Sequence, residues 1–176
     1  FLGLVSHEFF HTWNVKRIRP TELGPFDYFN EVYTKMLWLA EGATSYYDNV
    51  FLPRSGVISA NEYFDLICDD IKRFNSLPGR HLQTVEESSF DSWIKLYRPD
   101  ENSINSMISY YLKGGMIFMA LDLTLRDLTD GKQSLDDVYR QLWKMYLDDG
   151  KGISDDLFKS TCETVGGQPL NAIWNF

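Results

Sequence analysis

The 176-residue sequence predicts a mainly α fold of about six to seven helices. Three observations predict it. Apolar residues recur at helical spacing through most of the chain. Serine, proline and glycine fall where those runs begin and end. No segment alternates convincingly enough to be a strand, and there is no internal repeat or low-complexity stretch.

Taken in order, residues 1–15 read as the first helix. Arg19-Pro20-Thr21-Glu22-Leu23-Gly24-Pro25 then reads as a loop, because two prolines and a glycine break a helix. Apolar spacing resumes from Glu31 to Phe51, with Pro53 stopping the run. Ser59 is placed to cap a third helix to Phe74, with Tyr63, Leu66, Ile67 and Phe74 on its inward face. Leu77-Pro78-Gly79-Arg80 marks a turn. A short helix is expected over Glu87 to Leu96, ahead of an Arg98-Pro99-Asp100 loop. Asn105 to Leu128 reads as one long helix, with Met116, Ile117, Met119, Ala120, Leu123 and Leu125 available for packing. Its Gly114-Gly115 pair permits close backbone approach, at a helix cost of about 1 kcal/mol per glycine. Ser134 to Tyr146 is the next helix, closed by Gly150 and Gly152. Ser154 caps the last one, to Val165.

Composition limits the function classes. The chain is 44% hydrophobic and 15% aromatic, enough for one domain with its own core. A net charge of −8 argues against a nucleic-acid partner. No apolar stretch reaches membrane-spanning length, and no signal peptide precedes the first helix. Cys68 and Cys162 lie 94 positions apart and give neither a disulfide framework nor a C-x-x-C knuckle.

The chemistry is concentrated in His7-Glu8-Phe9-Phe10-His11, an H-E-x-x-H box. Two histidines four apart on a helix are separated by only about 40° around its axis, so both rings can reach one ion. Neutral imidazoles at that spacing suit Zn²⁺, and the intervening Glu8 can act on a zinc-bound water. A third ligand is needed. The candidate is Glu41, the one carboxylate in the apolar and aromatic run Leu37-Trp38-Leu39-Ala40-Glu41-Gly42-Ala43-Thr44-Ser45-Tyr46-Tyr47. A buried carboxylate needs a cation or hydrogen-bond partners. Asp48 and His81 are the next candidates, and a surface glutamate on an amphipathic helix is the bland alternative for Glu41.

The run His7-Glu8-Phe9-Phe10-His11-Thr12-Trp13-Asn14-Val15-Lys16-Arg17-Ile18-Arg19-Pro20, followed by Leu37-Trp38-Leu39-Ala40-Glu41-Gly42, resembles the glycyl aminopeptidase family of gluzincin zinc metallopeptidases. The longer run discriminates far better than the bare box. The resemblance implies the helical half of a thermolysin-like catalytic domain, with His7, His11 and Glu41 as zinc ligands and Glu8 as general base. Gluzincin aminopeptidases also place an oxyanion-stabilising tyrosine in a Y-x-K-G run. Tyr111-Leu112-Lys113-Gly114 is similar to it, which implies that role for Tyr111, with Tyr110 as alternate. The implied activity is release of small amino-terminal residues, glycine or alanine, from a peptide substrate. An inactive or zinc-lacking binding module on the same scaffold is the alternative, and an epoxide hydrolase activity shares the scaffold.

The sequence departs from the thermolysin-like pattern in two places. Four positions after Glu41, where an acidic residue usually orients a ligand histidine, stands Ser45. Asp48 lies one turn further on, either as its substitute or as a solvated helix end. The 29 residues between His11 and Glu41 exceed the gap in alanyl-type aminopeptidases. Lys16, Arg17 and Arg19 read as solvated or salt-bridged charges, with contact to a substrate carboxylate as the second choice. Because the box begins seven residues into the chain, residues 1–176 are expected to be a single helical catalytic subdomain of a longer protein. The resemblance implies an upstream β-rich region and a downstream PDZ-type module.

Overall fold

The computed structural model describes residues 1–175. Helix α1 is Leu2–Phe10. A series of turns, including a 3-10 turn at Thr21–Leu23, leads to a five-residue π-turn, Trp38–Gly42. That turn runs without a break into α2, Ala43–Arg54. There follow α3, Ala60–Ser76, a 3-10 turn at Pro78–His81, and α4, Val85–Phe90. A single turn, α5 at Ser103–Ser106, precedes the long α6, Tyr110–Leu128. The chain ends in α7, Leu135–Asp149, α8, Asp155–Gly166, and a single turn α9, Asn171–Trp174. Among the described residues seven α-helices have six residues or more, and the only β-like pairings are the isolated bridges Asn14–Ile18 and Pro20–Ile153. None of these helices is long and apolar enough to cross a membrane.

Local chemistry explains most boundaries. Ser59 accepts from the Glu62 amide while Glu62 bonds back to the Ser59 amide, and Thr84 with Glu87 repeats the device at α4. Ser109 caps α6 and Ser154 caps α8. Gly150 and Gly167 close α7 and α8 in the left-handed conformation (φ 67° and 73°).

Four expectations are corrected. The first helix ends at Phe10 rather than residue 15, because the α-helical ladder breaks there: the Thr12 and Trp13 amides donate three residues back, to Phe9 and Phe10, and those of Lys16 and Ile18 five back, to His11 and Trp13. The second begins at Trp38 rather than Glu31. Thr34 bonds the Met36 amide and Ser89 the Trp38 amide, so these side chains take donors that an upstream helix would use. It runs through Pro53 to Arg54, with the proline in its last turn. The long helix starts at Tyr110, since Ile108 is held in an extended segment by Gln83 and Ser88. Finally, α3 is capped and amphipathic as expected, yet buries no residue fully; Leu66 is 39% exposed. Periodicity shows which face is apolar, not whether a neighbour covers it.

Helix α6 is the centre of the packing. It lies against the π-turn, α2, α4 and α8, while α1 packs on α2. Phe10 meets Tyr47, Phe51 and Tyr139, and Trp38 meets Phe118 and Phe158. Buried Asp122 accepts from the Tyr46 hydroxyl (2.6 Å), the Leu135 amide (2.7 Å) and Arg126 (2.9 Å), tying α2 and the start of α7 to α6. Where α6 crosses the π-turn, the contact is backbone on backbone. A Cβ on Gly42 would sit 2.6 Å from the Gly114 Cα. Of the glycine pair read from the sequence, it is Gly114 that this crossing requires, and the crossing sets Glu41 beside the start of α6.

Candidate metal centre and active site

Helix α1 presents His7, and His11, the residue that caps its C-terminus, follows one turn on, both on the side facing α2. The Nε2 atoms of both rings lie 3.2 Å from one oxygen, Oε2 of Glu41. Among the described residues, His7, His11 and Glu41 are the one group of three or more histidine, cysteine or acidic side chains able to hold an ion; their donor atoms lie within 4.8 Å of one another. His81 stands exposed in the Pro78–His81 turn, Cys68 is exposed, and Cys162 is buried.

The other ring nitrogens are also committed. Nδ1 of His7 donates to Asp48 (3.0 Å) and Nδ1 of His11 to the Asn14 carbonyl (2.6 Å). These bonds fix the tautomer and turn both Nε2 atoms toward Glu41. Of the two readings of Asp48, the structure places it on His7 rather than at a solvated helix end.

The π-turn gives Glu41 its direction. A π-turn leaves carbonyls outside the regular ladder, and such turns are frequent at functional sites. Asn14, fully buried, fills the gap. Its amide nitrogen donates to the carbonyls of Leu39 (3.3 Å) and Ala40 (2.8 Å) and approaches the Thr44 hydroxyl (3.2 Å). One residue thus orients His11 through its backbone and steadies the Glu41 turn through its side chain. Sequence reasoning did not single it out. The only signal was a polar residue between Trp13 and Val15, just beyond the box.

The cluster is electrostatically tense. The Asp48 hydrogen bond, then that of Glu41, push His7 up to about 9 against the opposing effect of burial. Burial alone would lower His11, but Glu41 and the Asn14 carbonyl outweigh it and raise the imidazole. Burial would raise Glu41, yet the bonds from His11 and His7 hold it at about 2.

Glu8 is exposed on α1. On an ideal helix it lies about 100° from His7 and about 60° from His11, beside the two histidines rather than between them. The two tyrosines separate. Tyr111 is half-buried, its ring 6.2 Å from and roughly parallel to that of His7. Tyr110 is 1% exposed and its hydroxyl meets that of Tyr97 at 3.1 Å. Lys113 turns inward to donate to the carbonyls of Arg80 and Gln83, fixing the first turn of α6. Arg17 and Arg19 bond the carbonyls of Thr12 and Lys16.

The family model for M61 glycyl aminopeptidases matches residues 1–117, which carry the box, the π-turn and the tyrosine run. The chain belongs to the M61 family. It is also similar to a solved structure described as an aminopeptidase N family protein from Idiomarina loihiensis, with 40% identity and a TM-score of 0.85. That likeness covers 91% of this chain and 27% of the other, so the chain spans about a quarter of that protein's length. No curated protein matches the chain. Within the M61 family this chain is a mainly helical piece, consistent with the helical half of a gluzincin catalytic domain.

The donor set suits a zinc ion. Two imidazoles with their outer nitrogens already bonded, and one carboxylate, would give such an ion three protein ligands and leave a fourth position for chemistry.

Proposed function

We propose that the chain supplies the catalytic helices of a zinc aminopeptidase that releases small amino-terminal residues such as glycine or alanine. The observation that carries this reading is the convergence of two oriented Nε2 atoms on a single Glu41 oxygen. His7, His11 and Glu41 would hold Zn²⁺, whose contribution is to polarise the scissile carbonyl and make water acidic at neutral pH. Glu8 takes the proton from the attacking water and delivers it to the leaving amine. The Tyr111 hydroxyl, held neutral because burial and then the Glu41 charge raise its pKa, donates to the developing oxyanion. The family match and the larger solved relative support a catalytic piece of a larger enzyme, so activity is a property of the full chain.

The direct test is metal analysis of the purified protein together with hydrolysis of glycyl, alanyl and amino-blocked peptides. The reading requires zinc, turnover of the free-amine substrates and none of the blocked ones. Tyr111→Phe is expected to lower kcat by about 10²-fold, with little change in zinc affinity. Tyr110→Phe, in the core, is the control. A silent Tyr111→Phe beside a damaging Tyr110→Phe would reverse the assignment.

Glu41→Ala leaves two protein ligands and is expected to strip zinc on dialysis. Unchanged stoichiometry and affinity would show that another group binds the ion.

The metal-free protein also has a defined pH response. His7 is raised from 6.5 to about 9, so its contribution to stability is complete below about 6.5 and lost as pH climbs toward 9. Glu41 is lowered from 4.5 to about 2, so its contribution holds above about 4.5 and is lost as pH falls toward 2. Metal-free Tm is therefore expected to peak between about 4.5 and 6.5 on account of this cluster. His7 would have to give up a proton to hold zinc, so metal binding should release protons at pH 7, measurable by calorimetry in buffers of different ionisation enthalpy.

A further inference from the structure

A groove of about 670 Å³ opens beside Glu41 and has no assigned role. One wall is the loop carrying Phe26, Tyr28 and Phe29, and the other carries Trp93 and Tyr97, beyond α4. Nε1 of Trp93 donates to the Val32 carbonyl (3.4 Å), linking the walls. Tyr28 and Phe29 are 86% and 95% exposed, an unusual use of aromatic side chains unless something packs on them. Asp27 and Glu31 also line it, so any carboxylate entering would meet like charge.

Glu41 is itself part of the lining, so whatever fills the groove lies alongside the proposed metal centre. A glycine released from the amino terminus has no side chain to occupy such a space. A second cavity, of about 460 Å³, borders Asp48 and Tyr111 on the other side of the cluster. Its lining is mixed, with Asp70 and Arg73 beside Met116 and Met119. Of these two spaces flanking the cluster, the groove is the one with the more aromatic wall.

We propose that the aromatic groove is the subsite for the residue following the scissile bond, and that it selects a large apolar side chain there. The proposal rests on the aminopeptidase reading, and it names a substrate class: peptides that begin with glycine followed by an aromatic or large aliphatic residue. A phenylalanine or tryptophan side chain there would exchange water for aromatic contact on both walls. Acidic residues would be disfavoured by Asp27, Glu31 and Glu41.

The test uses the zinc-loaded full chain and a series Gly-X-Ala-amide, with X as Phe, Trp, Leu, Gly, Lys and Asp. The expected kcat/KM for X as Phe or Trp exceeds that for Gly or Asp by about 10-fold or more. Trp93→Ala and Phe26→Ala should each pull that ratio toward one. Both side chains are about two-fifths exposed (42%), so the variants should stay folded, and the Tm of each is measured beside its ratio. Met119→Ala, in the second cavity, should leave the ratio alone. Calorimetric binding of the same peptides to Glu8→Gln protein gives the order without turnover. A flat series, or a ratio that answers to Met119 rather than Trp93, overturns the proposal. If no peptide is cleaved but the binding order persists, the groove's preference for a large apolar side chain stands and the aminopeptidase reading falls.

Discussion

Glu8→Gln is expected to lower kcat by about 10³-fold or more while the protein stays folded and keeps its zinc. Glutamine preserves the shape of the side chain and its capacity for hydrogen bonds, but cannot accept a proton. Glu8 sits one residue from His7 and is exposed, so the substitution leaves the core intact. His7, His11 and Glu41 meet without its help, which is why metal content should not change. Steady-state kinetics on a glycyl peptide and metal analysis after dialysis decide the matter together. Loss of zinc would make Glu8 a member of the binding set, and a near-normal rate would remove it from the mechanism.

Gly42→Ala is expected to cost about 3 kcal/mol of folding stability, at the upper end of what overpacking usually does. The new Cβ would meet Gly114 at 2.6 Å to Cα and 2.8 Å to the carbonyl carbon. Both are backbone atoms, so no flexible side chain can move aside. Relief requires α6 to withdraw from the π-turn, and with it the start of the helix that holds Tyr111. Zinc affinity should fall too, because Glu41 is the preceding residue. Gly115→Ala is the control. Its Cβ would find its nearest neighbour at 3.7 Å, an ordinary contact, and alanine is the better helix former. Urea unfolding midpoints of the two variants measure the difference; equal stability would mean that the crossing yields without strain.

Much of the fold could be read from local chemistry. Ser59, Ser134, Ser154 and Gly150 are residues whose physical preferences start or stop a helix, and the structure uses them so. The misplaced boundaries depended on distant partners. Nothing near Glu31 in the sequence says that Ser89, more than fifty positions away, takes the Trp38 amide. The π-turn was equally hidden, because it depends on Asn14 and on the Gly114 crossing rather than on the five residues that form it. In the candidate site, His7 and His11 could be read from helical spacing. Glu41 needed the energetic argument about a carboxylate in an apolar run. Asp48 could not be settled, since its role depends on which way α2 turns its next coil. Asn14 escaped notice because its work is done by a backbone carbonyl and a buried amide, and neither leaves a pattern in composition.

Under the proposed zinc reading, the hydrogen bonds behind the two histidines have a consequence for how the metal would be gained and lost. In small zinc domains the ion gathers its ligands out of a disordered chain, and chelation is denaturation. Here Asp48, the Asn14 carbonyl and the Asn14 amide hold the ligand residues through protein contacts alone. Ion exchange would then be a local event, a swap of a proton for a cation inside a socket whose walls stay in place. Little of the binding energy would be diverted into ordering the chain, so occupancy would follow the supply of free zinc and the acidity of the surroundings. A chelator would silence such an enzyme without unfolding it, and returning the ion would restore it without a refolding step.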